Sequence, residues 1–86
     1  MKSINIDRSK HLAEETSTGH NRWHPSITPI LEVEPGEDVL LETRDSGDGY
    51  AKPEGTVADL AAWPPGTLHP LTGPVYVKGA KPGDLL

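Results

Sequence analysis

The fold class depends most on one stretch, Ile-Leu-Glu-Val-Glu-Pro-Gly-Glu-Asp-Val-Leu-Leu-Glu-Thr-Arg-Asp, at residues 30–45. Apolar and polar side chains alternate on both sides of Pro35-Gly36, which is the period of a β-strand with one buried face. Pro followed by Gly suits the centre of a type II turn, because glycine readily adopts the positive φ that this turn requires. The stretch therefore predicts two strands, 30–34 and 38–45, joined as a tight β-hairpin.

The rest of the chain predicts further short elements separated by turn residues. Residues 3–7 and 74–78 alternate like strands, and residues 8–18 are polar and predict a loop. One helix is predicted at 56–63, because Thr56 can cap it and an acidic residue follows three positions later. A Pro-Pro-Gly run then ends it. With nine Gly and nine Pro in the chain, the predicted fold class is mostly β with one short helix.

The composition predicts a thin hydrophobic core. The chain has 86 residues, of which 34% are hydrophobic and 5% aromatic, and it has neither cysteine nor phenylalanine. A domain of this size is already marginal on surface-to-volume grounds, and no disulfide can add stability. A strand pattern also starts at Leu85-Leu86 without continuing. We therefore expect residues 1–86 to be stabilised by a partner chain or by the rest of a longer one.

The charge and hydropathy patterns disfavour some classes of partner. The net charge of −5 lacks the basic footprint that nucleic acids and anionic membranes require. The longest apolar run, Val39-Leu40-Leu41, is far too short to cross a bilayer, and the N-terminal residues contain no apolar signal segment. We expect a soluble cytoplasmic protein.

Several carboxylates and histidines fall on predicted loops and strand ends. They are Glu42, Asp45, Asp48, His20, His24 and His69. Such groups can hold a divalent metal that activates water, or they can transfer protons directly. Each also has a structural alternative: Asp45 could start a turn by binding its own backbone, Glu42 could pair across strands, and His69 could be a packed loop residue. The residues alone leave these roles open.

A dense polar segment surrounds Trp23. His20 and His24 are four residues apart, but the proline after His24 disfavours a helix there. In an extended segment the two histidines would still share one face. The alternative is that Trp23 anchors the segment in a core while its polar neighbours bind loop backbone. A metal-binding module that uses both histidines and His69 is therefore one hypothesis for function.

Four segments together resemble the acetamidase/formamidase family. They are Gly-His-Asn-Arg-Trp-His-Pro at 19–25, Val-Glu-Pro-Gly-Glu-Asp-Val at 33–39, Leu-Glu-Thr-Arg-Asp at 41–45, and His-Pro-Leu-Thr-Gly-Pro-Val-Tyr-Val-Lys-Gly-Ala-Lys-Pro-Gly-Asp at 69–84. The resemblance implies the N-terminal part of a β-sandwich-like fold, in a family whose members run to roughly three or four times this length. On this view residues 1–86 are an N-terminal segment or small subunit, completed by another chain or by a missing C-terminal part.

The resemblance also implies a reaction. Family members hydrolyse the C–N bond of small linear amides such as formamide and acetamide, giving a carboxylate and ammonia. They are generally oligomeric, and some carry zinc or calcium. This chain would supply part of the enzyme and would be inactive alone, with the remainder of the amidase as its partner in a homo- or hetero-oligomer.

Carried over position by position, the resemblance makes Glu42, Asp45 and His69 the candidate catalytic residues. A carboxylate would act as general base on water or hold a metal, and His69 would orient or protonate the leaving ammonia. Asp45 and His69 are also the candidate metal ligands. The alternative function is a non-catalytic β-rich binding or assembly module built on the same scaffold, because a shared fold does not guarantee a shared activity.

Overall fold

The structure is a computed structural model that describes residues 1–85, and it consists mostly of short strands and loops. Within these residues the elements are β1 (Lys2–Ile4), β2 (Gly19–His20), β3 (Leu31–Val33), β4 (Val39–Leu41), α1 (Val57–Ala61), β5 (Leu71–Thr72) and β6 (Val75–Val77), with 3₁₀ turns at Leu12–Glu14 and Thr16–Thr18. The mostly-β class predicted from the sequence is confirmed.

The strands pair two by two between distant parts of the chain. Strands β1 and β4 are parallel, with Ile4 opposite Leu41, and β3 and β6 are parallel, with Val33 opposite Val77. Strands β2 and β5 are antiparallel. Each described pair therefore joins an early segment to a later one, which is how a short chain brings loops from both halves together.

The predicted hairpin between β3 and β4 is wrong, although its turn is present. Glu37 N–H donates to the Glu34 carbonyl at 3.1 Å, and Gly36 has a φ of 81°. A type II turn does not match the right-handed twist of paired strands and splays them apart. The two strands therefore leave the turn separately, β3 to pair with β6 and β4 to pair with β1.

The predicted helix is confirmed, with a capping box at its start. Asp59 N–H donates to the Thr56 hydroxyl oxygen at 3.2 Å, and Thr56 N–H donates to Asp59 Oδ2 at 3.0 Å. These two bonds satisfy amide groups that a helix start otherwise leaves free. The helix is one turn long and its residues are exposed, so capping supplies most of its stabilisation.

The hydrophobic core is as thin as the composition predicts. Its buried members among the described residues are Ile4, Leu12 and Val33. The radius of gyration is 15.3 Å, against about 12 Å for a compact domain of this length. Trp23 is 91% exposed, so the interpretation that it anchors a core within this chain is wrong. Parallel strands usually lie buried on both faces, yet here much of their apolar surface is open.

Two remaining expectations concern the chain end and membranes. Leu85 is exposed and outside any strand, and Leu86, the other half of the predicted final strand, lies outside the described residues. Within residues 1–85, no helix is long and apolar enough to cross a membrane.

Candidate active site

Glu42 ties together the strand pairs on either side of it. Its N–H donates to the Ile4 carbonyl at 3.0 Å, and its Oε1 accepts from Ile6 N–H at 2.8 Å. Its own carbonyl accepts from the Thr72 hydroxyl at 2.6 Å. The half-buried Glu42 thus links β1, β4 and β5, and one of its carboxylate oxygens is committed to backbone.

Asp45 opens the loop that follows β4. Its Oδ1 accepts from Gly47 N–H at 2.8 Å and from Gly49 N–H at 3.2 Å, and its Oδ2 lies 3.2 Å from the same Gly49 nitrogen. The Asp45 carbonyl also accepts from Asp48 N–H at 2.9 Å. These bonds match the turn-forming alternative for Asp45, and they also fix the orientation of an exposed carboxylate.

His69 reaches the same loop through its backbone. Its N–H donates to the Ser46 carbonyl at 2.8 Å, which brings it beside the residue that follows Asp45. Its φ of 59° is uncommon for a residue with a side chain. Backbone strain of this kind clusters at functional sites. The structure therefore brings the Asp45 and His69 segments together, and the His69 side chain is exposed.

A buried ion cluster, not predicted from the sequence, lies under this loop. Arg44 Nη2 lies 3.2 Å from Glu15 Oε1, and Arg44 Nη1 lies 3.7 Å from Asp48 Oδ1. The side chains are 7%, 14% and 3% exposed for Arg44, Glu15 and Asp48 respectively. Arg44 Nη1 also donates to the Lys10 carbonyl at 2.6 Å. The cluster joins the start of the loop to residues 10–15.

Aromatic stacking extends this cluster toward the helix. His11 Nδ1 lies 2.7 Å from the Asp48 carbonyl, and the His11 ring stacks on Tyr50 with centroids 3.8 Å apart and planes 4° apart. Tyr50 in turn faces Trp63 at 6.2 Å, just beyond α1. His11 was missed because its surroundings are polar and predict only a loop. The one local signal is Glu14, whose Oε1 accepts from His11 N–H at 3.0 Å.

The described residues do not by themselves form a metal site. Across residues 1–85, no group of three or more His, Cys, Asp or Glu side chains is arranged to hold an ion. Both Asp45 oxygens accept backbone N–H groups, and each keeps a further lone pair. The assignment of Asp45 and His69 as a pair of metal ligands stays a prediction.

The other two histidines lie along a separate surface groove. His20, Trp23 and His24 line it together with Leu71 and Pro74. His20 Nδ1 lies 2.6 Å from the Arg22 carbonyl, and His24 Nδ1 lies 2.6 Å from the Ser26 hydroxyl. Each ring is thus engaged by a neighbour two residues away, which fits local hydrogen bonding.

The pKa of Asp7, near this site, is lowered from its ordinary value of 3.8. The main cause is the Ser9 hydroxyl, which donates to Asp7 Oδ1 at 2.5 Å, followed by Ser9 N–H, which donates to the same oxygen at 2.9 Å. A lowered pKa in the folded state adds stability above the unfolded pKa, and that stability is lost as pH falls through the folded value.

We predict that Ser9→Ala raises the pKa of Asp7 toward 3.8, because the strongest stabiliser of the carboxylate is removed. A ¹³C NMR titration of the carboxyl carbon measures this shift, with Ser17→Ala as a control on another turn. An Asp7 titration that Ser9→Ala leaves unchanged would contradict the assignment to the Ser9 hydroxyl.

Comparison with known proteins shows the family to which this chain belongs. The chain belongs to the Acetamidase/Formamidase family, whose model matches residues 5–86. It is 37% identical over 83 residues to an acetamidase of Mycolicibacterium smegmatis, covering 96% of this chain and 20% of the relative. It is 36% identical over 87 residues to a formamidase of Methylophilus methylotrophus, covering 100% of this chain and 21% of the relative.

A solved structure agrees with the fold. The chain resembles the gamma lactamase from Delftia acidovorans with a TM-score of 0.80 and 38% identity, over 96% of this chain and 20% of that one. The chain thus spans about one fifth of the length of these relatives. The relatives are longer than the three- or fourfold ratio expected from the sequence.

Proposed function

We propose that this chain forms part of an enzyme that hydrolyses the C–N bond of small linear amides to a carboxylate and ammonia. Two similar proteins are named acetamidase and formamidase, which supports the reaction class. The observation that carries the proposal is the hydrogen bond from His69 N–H to the Ser46 carbonyl, because it joins the two segments that bear a candidate base and a candidate acid.

The reaction needs a base at its first step and an acid at its last. Asp45 removes a proton from water, whose oxygen adds to the amide carbonyl carbon. The C–N bond then breaks, and His69 delivers a proton to nitrogen, because ammonia leaves poorly unless it is protonated. The Gly47 and Gly49 N–H groups hold Asp45 in one orientation while leaving carboxylate lone pairs for the water.

We further propose that other polypeptide covers this chain in the active enzyme, as a second chain or as a further segment. The thin core, the large radius of gyration and the exposed strand faces support this. The much greater length of the relatives supports it as well. The intact mass of the purified material shows whether a second, larger chain co-purifies, and the mass of the native assembly gives the number of subunits.

Substitution of the candidate residues tests the reaction. Asp45→Asn and His69→Asn are each expected to lower kcat/KM for formamide about a hundredfold or more, because each removes a proton-transfer group. Asn at 45 keeps an oxygen for the Gly47 bond, so the loop is retained. Ammonia release from formamide and acetamide is the measurement, and Asp38→Asn is the matched control at an exposed carboxylate.

Glu42→Gln separates the structural role of Glu42, which is its bond to Ile6 N–H, from the candidate catalytic role of its carboxylate. Gln retains an oxygen for Ile6 N–H, so folding is kept while the carboxylate is lost. Wild-type rates in both Asp45→Asn and Glu42→Gln would remove these carboxylates from the catalytic set. All of these rates are measured on the assembled enzyme, with the remaining polypeptide present. An assembled wild-type protein that releases no ammonia would contradict the proposed reaction and favour the non-catalytic module.

A further inference from the structure

Residues 11–12 hold the loop that follows Asp45 through two contacts with Asp48. His11 Nδ1 lies 2.7 Å from the Asp48 carbonyl oxygen, and Leu12 N–H donates to Asp48 Oδ2 at 2.8 Å. Asp48 is 5% exposed and has a φ of 52°, which is uncommon for a residue with a side chain. Because both contacts come from a segment 36 or 37 positions away, tertiary structure fixes this part of the loop.

The Asp48 carbonyl belongs to the same peptide group as the Gly49 N–H, which contacts the proposed base. The Gly49 nitrogen lies 3.2 Å from each carboxylate oxygen of Asp45. A trans peptide group is planar, and its C=O and N–H point in opposite directions. A hydrogen bond from His11 that fixes the carbonyl on one side therefore also fixes the direction of the N–H on the other.

The same hydrogen bond strengthens a donor to Asp45. A hydrogen bond to a carbonyl polarises its amide, which makes the N–H of that amide a better donor. The connection runs from His11 Nδ1–H through the Asp48–Gly49 peptide to the Asp45 carboxylate. Gly47 N–H, at 2.8 Å from Asp45 Oδ1, belongs to a different peptide group. His11 therefore governs one of the two described backbone donors to Asp45.

The His11 ring is held in the orientation that this bond requires. A carbonyl oxygen only accepts, so Nδ1 carries the hydrogen, and in the neutral ring Nε2 is then an acceptor. The ring stacks on Tyr50 with centroids 3.8 Å apart, and His11 N–H donates to Glu14 Oε1 at 3.0 Å. Within residues 1–85 the ring makes no hydrogen bond to Asp45, so its effect on that carboxylate passes through the peptide group.

We propose that His11 is a positioning residue for Asp45. Its Nδ1–H holds the Asp48–Gly49 peptide so that the Gly49 N–H points at the Asp45 carboxylate. The carboxylate then keeps the orientation in which it takes a proton from water. The role of Asp45 rests on the proposed amide hydrolysis, whereas the connection from His11 to Asp45 rests on the hydrogen bonds at Asp48 and Gly49.

Two variants of His11 separate the hydrogen bond from the stacking. His11→Phe keeps a ring that can stack on Tyr50 but has no donor. His11→Asn loses the ring but keeps a donor, because its side-chain nitrogen is bonded to Cγ as Nδ1 is. The Leu12 N–H bond to Asp48 comes from backbone and is available in both variants, so we expect the loop to stay folded.

Turnover and hydrogen exchange are both measured on the assembled enzyme. We expect His11→Phe to lower kcat for formamide about tenfold and to leave KM within about twofold of wild type, because a misaligned base slows the chemical step without weakening substrate binding. Exchange at Gly49 N–H, followed by NMR after ¹⁵N-glycine labelling, is expected to accelerate about tenfold as well. His11→Asn is expected to stay within about threefold of wild type in both measurements.

The tautomer of His11 gives a measurement that needs no variant. At a pH of about 8.5, where a histidine is ordinarily neutral, ¹H–¹⁵N NMR of the ring shows which nitrogen carries the hydrogen. We expect Nδ1–H. A ring protonated at Nε2 alone cannot donate to the Asp48 carbonyl, and that result would overturn the proposal whether or not His11→Phe folds.

Three results from folded variants would also overturn the positioning role. They are unaltered exchange at Gly49 in His11→Phe, unaltered kcat in His11→Phe, and an equal loss of kcat in His11→Phe and His11→Asn. A purely structural role would lower the free energy of unfolding and leave kcat of the folded enzyme unchanged. Exchange and tautomer are measured without turnover. An assembled enzyme that meets both expectations but releases no ammonia therefore contradicts the proposed reaction alone, and an active enzyme with unaltered Gly49 exchange in His11→Phe contradicts the positioning role alone.

Discussion

Arg44→Met is expected to lower the free energy of unfolding by about 3–5 kcal/mol, because it removes one partner of a buried ion cluster. The Arg44 guanidinium donates to the Lys10 carbonyl at 2.6 Å and to Glu15 Oε1 at 3.2 Å, and it lies 3.7 Å from Asp48 Oδ1. Met fills similar volume but leaves two shielded carboxylates without a cation. Urea denaturation followed by tryptophan fluorescence measures the change.

Two further arginine variants separate charge from packing. Arg8→Met changes an exposed arginine that lines a small cavity together with Arg44. We expect it to change the free energy of unfolding by less than about 0.5 kcal/mol. Arg44→Lys keeps the charge but loses the planar fork, so an intermediate loss is expected. If Arg44→Met matched Arg8→Met, the cluster would contribute nothing that an apolar side chain could not replace.

The features predicted correctly from the sequence are those decided within a few residues. The capping box at Thr56 and Asp59 and the turn at Gly36 depend only on local backbone geometry and neighbouring side chains. Their signals are therefore complete in the sequence. The thin core follows equally directly, because burial is limited by how few large apolar side chains the chain contains.

The choice of strand partners could not be predicted in the same way. Alternation identifies β3 and β4 as strands, but it does not say which other strand each will face. Parallel pairing of Leu31 with Val75 and of Lys2 with Val39 joins segments far apart in the chain. The short turn between β3 and β4 favours pairing of these two strands in a sequence-based prediction. A type II turn, however, disfavours a hairpin.

The candidate site also combines residues that the sequence indicates with contacts that only the tertiary structure shows. Asp45 and His69 were selected by resemblance, and the Ser46 bond that joins their segments depends on tertiary structure. The sequence shows Asp48 as one of several loop carboxylates. Its burial depends on Arg44 and on Leu12, and Leu12 belongs to a segment whose polar sequence predicts only a loop. Nothing in the local sequence distinguishes a buried aspartate from a solvated one.

Gly19→Ala is expected to lower the free energy of unfolding. Overpacking typically costs about 1–3 kcal/mol, and we expect a loss toward the upper end of that range. Gly19 is extended, with a φ of −178°, so alanine itself is not strained there. A Cβ at this position would lie 2.3 Å from the Leu71 carbonyl oxygen, which belongs to backbone and cannot rotate away. Strand β5 must therefore move away from β2.

That movement has consequences at the candidate site. Strand β5 contains Thr72, whose hydroxyl donates to the Glu42 carbonyl at 2.6 Å. The strand begins at Leu71, two residues after His69. Displacing β5 loosens the Glu42 contact and the His69–Ser46 hydrogen bond together. We therefore expect Gly19→Ala to lower the rate of ammonia release as well as stability, and amide hydrogen exchange at Gly73 N–H, which donates to Thr18, to accelerate.

Gly36→Ala is the informative control because its cost has a different origin. A Cβ at Gly36 would meet nothing within 4 Å, but the φ of 81° strains any residue with a side chain. The expected cost is about 1–2 kcal/mol from backbone strain alone. None of the described hydrogen bonds joins this turn to β5, so exchange at Gly73 should not change. If Gly19→Ala left Gly73 exchange unaltered, β2 and β5 would not be in the register that sets His20 opposite Leu71, and the link from this pair to the His69 segment would fail.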